Sequence, residues 1–181
     1  MAKEEEVVLI NRAPVLTLWA AVVAERLGYD RDAALSFGKC LAGLNAQAKG
    51  RRLGIFGEPK GPERAGPPKK YGLGEEFWVP ICGRPLPAKN TEAGVRAVIL
   101  DKPIDPKGVA DYLSRAFGPA LDAVRKAMEQ LAAAFTPEEL HDRAYPLYEQ
   151  FRPQIAPGAR GWGQKGRLEL GLIRRLAQKD G

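Results

Sequence analysis

Residues 14–28 read PVLTLWAAVVAERLG, and this stretch decides the fold at the start of the chain. Pro14 suits an early helical position, where its missing N–H costs nothing, and Gly28 suits the position just after a helix. The apolar residues that recur at helical spacing are Leu16, Trp19, Val23 and Leu27. Because nearly every other position is also apolar, the sequence predicts a helix that is buried on most sides.

A second helix follows within the same N-terminal segment, residues 7–56. Asp30 can cap it by accepting a backbone N–H, and Asp32 places a negative charge in its first turn. Its apolar stripe consists of Phe37, Leu41, Leu44 and Ala48. Gly50 is expected to end this helix, so the sequence predicts a helix pair.

Residues 57–74 are rich in glycine, proline and lysine. This composition predicts a loop, because prolines remove backbone donors and glycines supply no side chain to pack. Within residues 75–101, two runs of apolar and β-branched residues, 77–82 and 95–100, favour β-strands. The sequence predicts a turn at Gly83 and Arg84, and a ragged edge partner around Leu86, which lies between two prolines.

Residues 102–181 carry helix signals again. Asp105 and Pro106 fit a cap followed by a first helical residue, and Thr136 and Glu139 fit a capping box. A last helix is predicted from about Gln164 to Ala177. The sequence therefore predicts a single domain over residues 1–181. It is mainly α, with about six helices and a small antiparallel β-hairpin inserted between helix 2 and helix 3.

The composition excludes several classes of protein. The chain has 181 residues, of which 45% are hydrophobic and 28% charged, so it can form one ordinary domain and is not a disordered tail. No run approaches the ~20 apolar residues of a membrane-spanning helix. Residues 1–6 read MAKEEE and are acidic where a signal peptide would be basic, which predicts a cytoplasmic protein.

Few side chains fit a role in catalysis or metal binding. Cys40 and Cys82 are far apart and lack the C-x-x-C spacing, and His141 is the sole histidine. A cysteine-rich zinc site is excluded on this count, and both thiols are expected to be free and buried. No nucleophile or nucleotide-loop motif is present. The sequence therefore predicts no cofactor and favours a protein that is not an enzyme.

The turn between the two N-terminal helices carries a family resemblance. Ala24 is a small residue in the first helix, and Gly28 follows four positions later at the turn. Residues 23–37 thus resemble a helix-turn-helix, in which the second helix lies in the DNA major groove. The resemblance implies that the residues facing the groove are Arg31, Asp32, Ser36 and Lys39. The alternative interpretation is an ordinary helical hairpin.

The net charge of +6 is concentrated in two segments. Residues 49–70 carry seven basic and two acidic side chains, and residues 159–179 carry six and one. Clustered lysine and arginine neutralise phosphates and release their counterions. The candidate phosphate contacts in these segments are Lys49, Arg51, Arg52, Lys69, Lys70, Arg160, Lys165 and Arg167. Trp162, between two glycines, has room to stack on a base or else plugs the core.

These features predict a nucleic-acid-binding protein, more readily of DNA, that grips phosphates through its two basic segments. A helical protein–protein interaction or assembly module is the first alternative. Its basic segments would meet an acidic partner or the chain's own acidic residues 101–150, and a homo-oligomer is a further predicted partner. An enzyme whose site assembles from scattered residues is the second alternative.

Overall fold

The computed structural model describes residues 7–52, 72–99, 102–153 and 165–178, and for residues 45–52 it describes the backbone alone. The helices are α1 (Arg12–Arg26), α2 (Arg31–Arg52), α3 (Pro106–Phe117), α4 (Leu121–Ala133), α5 (Pro137–Phe151) and α6 (Leu170–Gln178). The strands are β1 (Val7–Ile10), β2 (Glu76–Ile81), β3 (Arg84–Thr91), β4 (Gly94–Ile99), β5 (Lys102–Pro103) and β6 (Gly166–Glu169). A short 3₁₀ turn, Gly118–Ala120, joins α3 to α4.

The prediction of a mainly α protein with one small hairpin between helix 2 and helix 3 is wrong. Among the described strands, β2, β3, β4 and β5 form an antiparallel sheet in that order, and β1 pairs with β6 in a second sheet. Strands β1 and β6 have four residues each and lie about 160 positions apart, so neither shows a period of its own. Residues 166–169 therefore belong to a strand, and the last helix begins at Leu170 rather than near Gln164.

Strand β3 also corrects a prediction. The ragged edge expected around Leu86 is an eight-residue strand inside the sheet, between β2 and β4. Its prolines, Pro85 and Pro87, pair with β2, whereas β4 pairs only with residues 88–91. At Pro85 and Pro87, β3 thus has no described strand next to it on the β4 side. Because no strand pairs there, the missing proline N–H groups cost the sheet no hydrogen bond on that side.

The N-terminal helix pair is confirmed. The turn between α1 and α2 contains Gly28 with φ +113°, and the Asp30 carboxylate accepts the Ala33 backbone N–H at 2.8 Å at the start of α2. Gly50 does not end α2, which continues to Arg52. A Cβ atom at Gly38 would lie 2.2 Å from the Thr17 carbonyl oxygen, so the two helices touch backbone to backbone at this point.

Helix α1 is the central element of the core. Every residue from Pro14 to Ala24 is buried, as its apolar composition predicts. The Trp19 indole N–H donates to the Ala144 carbonyl of α5 at 2.9 Å, and its ring meets Phe151 edge to face at 5.3 Å. Helix α1 is therefore fixed between α2 on one side and α4 and α5 on the other.

The local helix signals of the C-terminal segment are confirmed. The Asp105 carboxylate accepts the Lys107 N–H at 3.1 Å and caps α3. At α5, the Thr136 hydroxyl accepts the Glu139 N–H at 3.1 Å, and the Glu139 carboxylate accepts the Thr136 N–H at 2.9 Å. Within the described ranges, no helix combines the length and the apolar character needed to cross a membrane.

Candidate functional site

Arg31 and Lys39 are the predicted nucleic-acid contacts on α2 whose side chains are described, and both are exposed. The Lys39 ammonium lies 5.4 Å from the centroid of the Tyr112 ring of α3, a cation–π contact worth ~0.5–1 kcal/mol at an exposed site. Arg31 makes no ion pair with any other described residue. Its charge therefore faces solvent at the start of α2.

Of the seven further predicted contacts, three have only their backbone described and four lie outside the described ranges. Lys49, Arg51 and Arg52 lie in the last turns of α2, where only the backbone is described. The residues outside the described ranges are Lys69, Lys70, Arg160 and Trp162. Their roles stay predictions.

Lys165 and Arg167 are both exposed, and Arg167 belongs to β6. Helix α6 follows directly and adds exposed Arg174 and Arg175. The acidic side chain within residues 165–178 is Glu169, which is half-buried. This segment therefore presents four exposed cations next to one partly covered carboxylate.

Ser36 lies on the side of α2 that the sheet covers. Its hydroxyl is buried, donates to the Ala33 carbonyl at 2.7 Å and accepts the Ala97 N–H of β4 at 2.9 Å. The helix-turn-helix resemblance implies that Ser36 faces a DNA groove, but in the structure this side chain joins α2 to β4. Arg31, Asp32 and Lys39 are the residues of the implied set that are exposed.

A pocket of about 830 Å³ opens where α2, α3 and α4 meet the turn between β3 and β4. The first turn of α2 contributes one wall, through residues 31, 32 and 35. One face of α3 contributes another through residues 107, 110 and 114, which are spaced for the same side of a helix. Residues 121, 122 and 125 at the start of α4 close the third side.

The floor of the pocket is apolar. Its lining includes Leu18 of α1, Leu35 of α2, Ile104 before α3, Ala110 and Leu113 of α3, and Leu121 of α4. Leu18, Leu35 and Leu113 are buried members of the core. The pocket therefore reaches down to α1 itself.

The lining also contains charged residues of both signs: Arg31, Asp32, Arg96, Asp105, Lys107, Asp122 and Arg125. Arg125 has its charge matched from both sides. Its Nη2 lies 2.5 Å from the Glu25 carboxylate of α1, and its Nε donates to Glu129 one turn further along α4 at 3.0 Å. Arg125 thereby ties α4 to α1 and holds one wall in place.

Arg96 on β4 is the most buried charged residue of the lining, at 7% exposure. Its Nη1 donates to the Val95 carbonyl at 2.8 Å, and its Nη2 donates to the Ala93 carbonyl at 3.3 Å. The turn before it contains Gly94 with φ +122°, where a Cβ would lie 3.3 Å from Arg96 Nη1. The β3–β4 turn therefore both bends at a glycine and holds the guanidinium.

The two cysteines do not belong to this site. Both are free and buried, as predicted, and burial raises the pKa of the Cys40 and Cys82 thiols to about 12. A thiol with so high a pKa is a poor nucleophile at neutral pH. His141 is exposed on α5 and does not line the pocket. Across the described ranges, no three His, Cys, Asp or Glu side chains are grouped to hold a metal ion.

Sequence reasoning does not find Arg96 or the pocket. The lining residues come from seven separate helices and strands and their connections, and no local motif links them. One signal was present: Arg96 is a single charged residue inside the apolar run 95–100, which predicts a buried strand. No protein-family model, curated protein or solved structure matches this chain at a significant level. The pocket and the exposed cations are therefore the features that bear on function.

Proposed function

We propose that this protein binds a small organic molecule in the pocket between α2, α3 and α4. The observation that carries this proposal is the pocket itself, about 830 Å³ and lined by both apolar and charged residues. Ligand sites in proteins commonly measure ~300–1,000 Å³ and combine apolar walls with a few polar groups that orient the ligand.

The packing of the rest of the core supports this proposal. Protein interiors leave few voids larger than a water molecule. Here α1 and α2 approach so closely that position 38 has no room for one methyl group. The pocket, by contrast, is open to solvent and reaches Leu18 and Leu113 of the core, so an apolar group bound there would be shielded from water.

The test uses N-phenyl-1-naphthylamine, an uncharged probe whose fluorescence rises in apolar surroundings. We expect one probe to bind per protein with saturation. The variant Ala110→Trp, which places an indole in the pocket, should weaken that binding at least about tenfold while the protein stays folded by circular dichroism. Ala133→Trp, at an exposed position of α4 outside the pocket, is the matched control and should bind as the unaltered protein does. Absence of saturable binding, or equal binding by Ala110→Trp, would overturn the proposal.

Nucleic-acid binding by a cytoplasmic protein is the second candidate function. It is favoured by the four exposed cations of residues 165–178 and by exposed Lys39. Cations of this kind attract phosphates without reading sequence, and the affinity falls with salt. The acidic residues of α4 and α5 lie elsewhere in the chain, so the charge is uneven.

The test is fluorescence anisotropy with labelled duplex and single-stranded DNA over a salt series. If the proposal holds, log affinity falls linearly with log salt, and the double variant K165E/R167E lowers the slope. The double variant K126E/R143E makes an equal change of charge at exposed positions on α4 and α5 and is the control for net charge. Absence of binding at low salt would remove this candidate and favour the alternative of an acidic protein partner.

A further inference from the structure

We propose that the pocket takes an amphipathic organic anion, whose carboxylate, phosphate or sulfonate group pairs with Arg96 in place of Asp32. This inference rests on the proposed function and adds the chemical class of the ligand. The apolar part of the ligand would cover the leucines of the floor, and its charged group would lie at the β3–β4 turn.

The Arg96 guanidinium is held in one orientation before any ligand arrives. Two of its five N–H groups donate to the Val95 and Ala93 carbonyls. Its other N–H groups make no hydrogen bond within the part of the chain that the structure describes. A guanidinium fixed by its own turn loses little conformational entropy when it binds an oxyanion, and its planar fork suits two oxygens at once.

Among the described residues, the positive charge of Arg96 has no carboxylate within hydrogen-bonding distance. Its nearest carboxylate among the described residues is that of Asp32, whose Oδ2 lies 3.7 Å from Nη2, beyond ordinary hydrogen-bonding distance. The Asp32 side chain is 60% exposed, whereas that of Arg96 is 8% exposed. Arg125, in the same lining, has two carboxylates at 3.0 Å or less. A buried cation is costly without a close partner, so Arg96 is the group in the pocket that gains most from a bound anion.

The positions of the other charged residues in the lining are consistent with an anionic group placed beside Arg96. Asp105 is engaged as the cap of α3 and accepts the Lys107 N–H. Asp122 belongs to α4, on a different wall from the β3–β4 turn. Arg31 stands beside Asp32 at the start of α2 and adds a second cation to the wall that faces Arg96. Asp32 is then the carboxylate that an incoming anion replaces.

The experiment compares two probes with the same aromatic frame. 8-Anilinonaphthalene-1-sulfonate carries a sulfonate, and N-phenyl-1-naphthylamine carries no charge. The unaltered protein should bind the sulfonate probe at least about tenfold more tightly, because the sulfonate can accept a charge-assisted hydrogen bond from Arg96 and the neutral probe cannot. Arg96→Met should remove this preference, so that the variant binds the two probes with affinities within about twofold of each other.

Asp32→Asn supplies a second measurement that leaves Arg96 in place. It should raise the affinity for the sulfonate probe about threefold or more, because the competing carboxylate is gone. Asp122→Asn removes the same charge from another wall and should have a smaller effect. Equal gains in both variants would overturn the assignment to Arg96 and Asp32.

The failures of the two proposals are distinguishable. If neither probe binds, or if Ala110→Trp leaves both affinities unchanged, the pocket does not take a ligand. If both probes bind in the pocket with equal affinity, and Arg96→Met changes neither, the pocket binds ligands and the anion assignment is overturned. If Arg96→Met does not fold, the Asp32→Asn and Asp122→Asn pair decides the matter.

Discussion

Helix α2 is packed closely against α1 on one side and lines an open pocket on the other. Against α1 it leaves no space, and a Cβ at Gly38 would lie 2.2 Å from the Thr17 carbonyl oxygen. Against α3 and the β3–β4 turn, its first turn lines a pocket of about 830 Å³. The small residue on the first side and the charged residues on the second show that this helix is both a core element and a wall of the candidate site.

The largest expected effect is on the closed side. Gly38→Ala should destabilise the protein by about 3 kcal/mol, because the new methyl group meets backbone that moves only if the helices separate. Urea unfolding followed by circular dichroism measures the free energy of unfolding.

Gly43→Ala is the matched control on the same helix. Position 43 is exposed, and a Cβ there meets no described atom within 4 Å. Alanine should therefore stabilise the helix by about 0.5–1 kcal/mol. A similar effect at both positions would show that α1 and α2 are not in backbone contact.

A buried serine of α2 and an exposed serine of the pocket give the next effect. Ser36→Ala removes the hydroxyl that accepts the Ala97 N–H and leaves this buried donor without its partner. We expect a loss of about 2 kcal/mol in the free energy of unfolding. Ser114→Ala, at an exposed position that lines the pocket, should change it by less than about 0.5 kcal/mol. Equal losses in the two variants would contradict the contrast between the packed contact of α2 with β4 and the open pocket.

The pH dependence of stability gives a smaller effect in the buried contact between α2 and β4. The Cys40 thiol lies 4.0 Å from the Val98 carbonyl of β4, and burial raises its pKa to about 12 from the ordinary value of 9. As pH rises above 9, the unfolded thiol loses its proton while the folded one keeps it. The free energy of unfolding must therefore fall with pH.

Between pH 8 and pH 10, Cys40 should contribute a loss of about 1 kcal/mol in the free energy of unfolding. Cys40→Ala removes that contribution, so the difference between this variant and the unaltered protein should change by that amount across the range. Urea unfolding at both pH values measures it. A difference that stays constant with pH would show that the Cys40 thiol is not shielded from water.

The sequence predicts the helices where their signals are local. The capping box at Thr136 and Glu139 and the cap at Asp105 each need only a few neighbouring residues. The strands β1 and β6 are missed because each is short and its partner lies at the other end of the chain. Strand β3 is underestimated because proline usually marks an edge, whereas here β4 pairs only beyond the prolines.

The candidate site is less predictable than the fold. Clustered charge along the chain draws attention to residues 49–70 and 159–179, whereas the pocket takes single residues from many elements. Arg96 acquires its importance from the Ala93 carbonyl and from a carboxylate on α2 that is distant in sequence. A sequence pattern does not reveal such contacts between residues that are distant in the chain.

Because β1 pairs with β6, strand β1 cannot complete its sheet until nearly all of residues 1–181 have been synthesised. Val7 finds its partner only when Glu169 has been added to the chain, and ribosomes add ~5–20 residues per second. For roughly 8–30 s strand β1 is therefore complete while its partner does not yet exist. Leu9, 64% exposed even in the finished fold, is then part of an unpaired apolar strand, and such a strand makes a growing chain prone to aggregation.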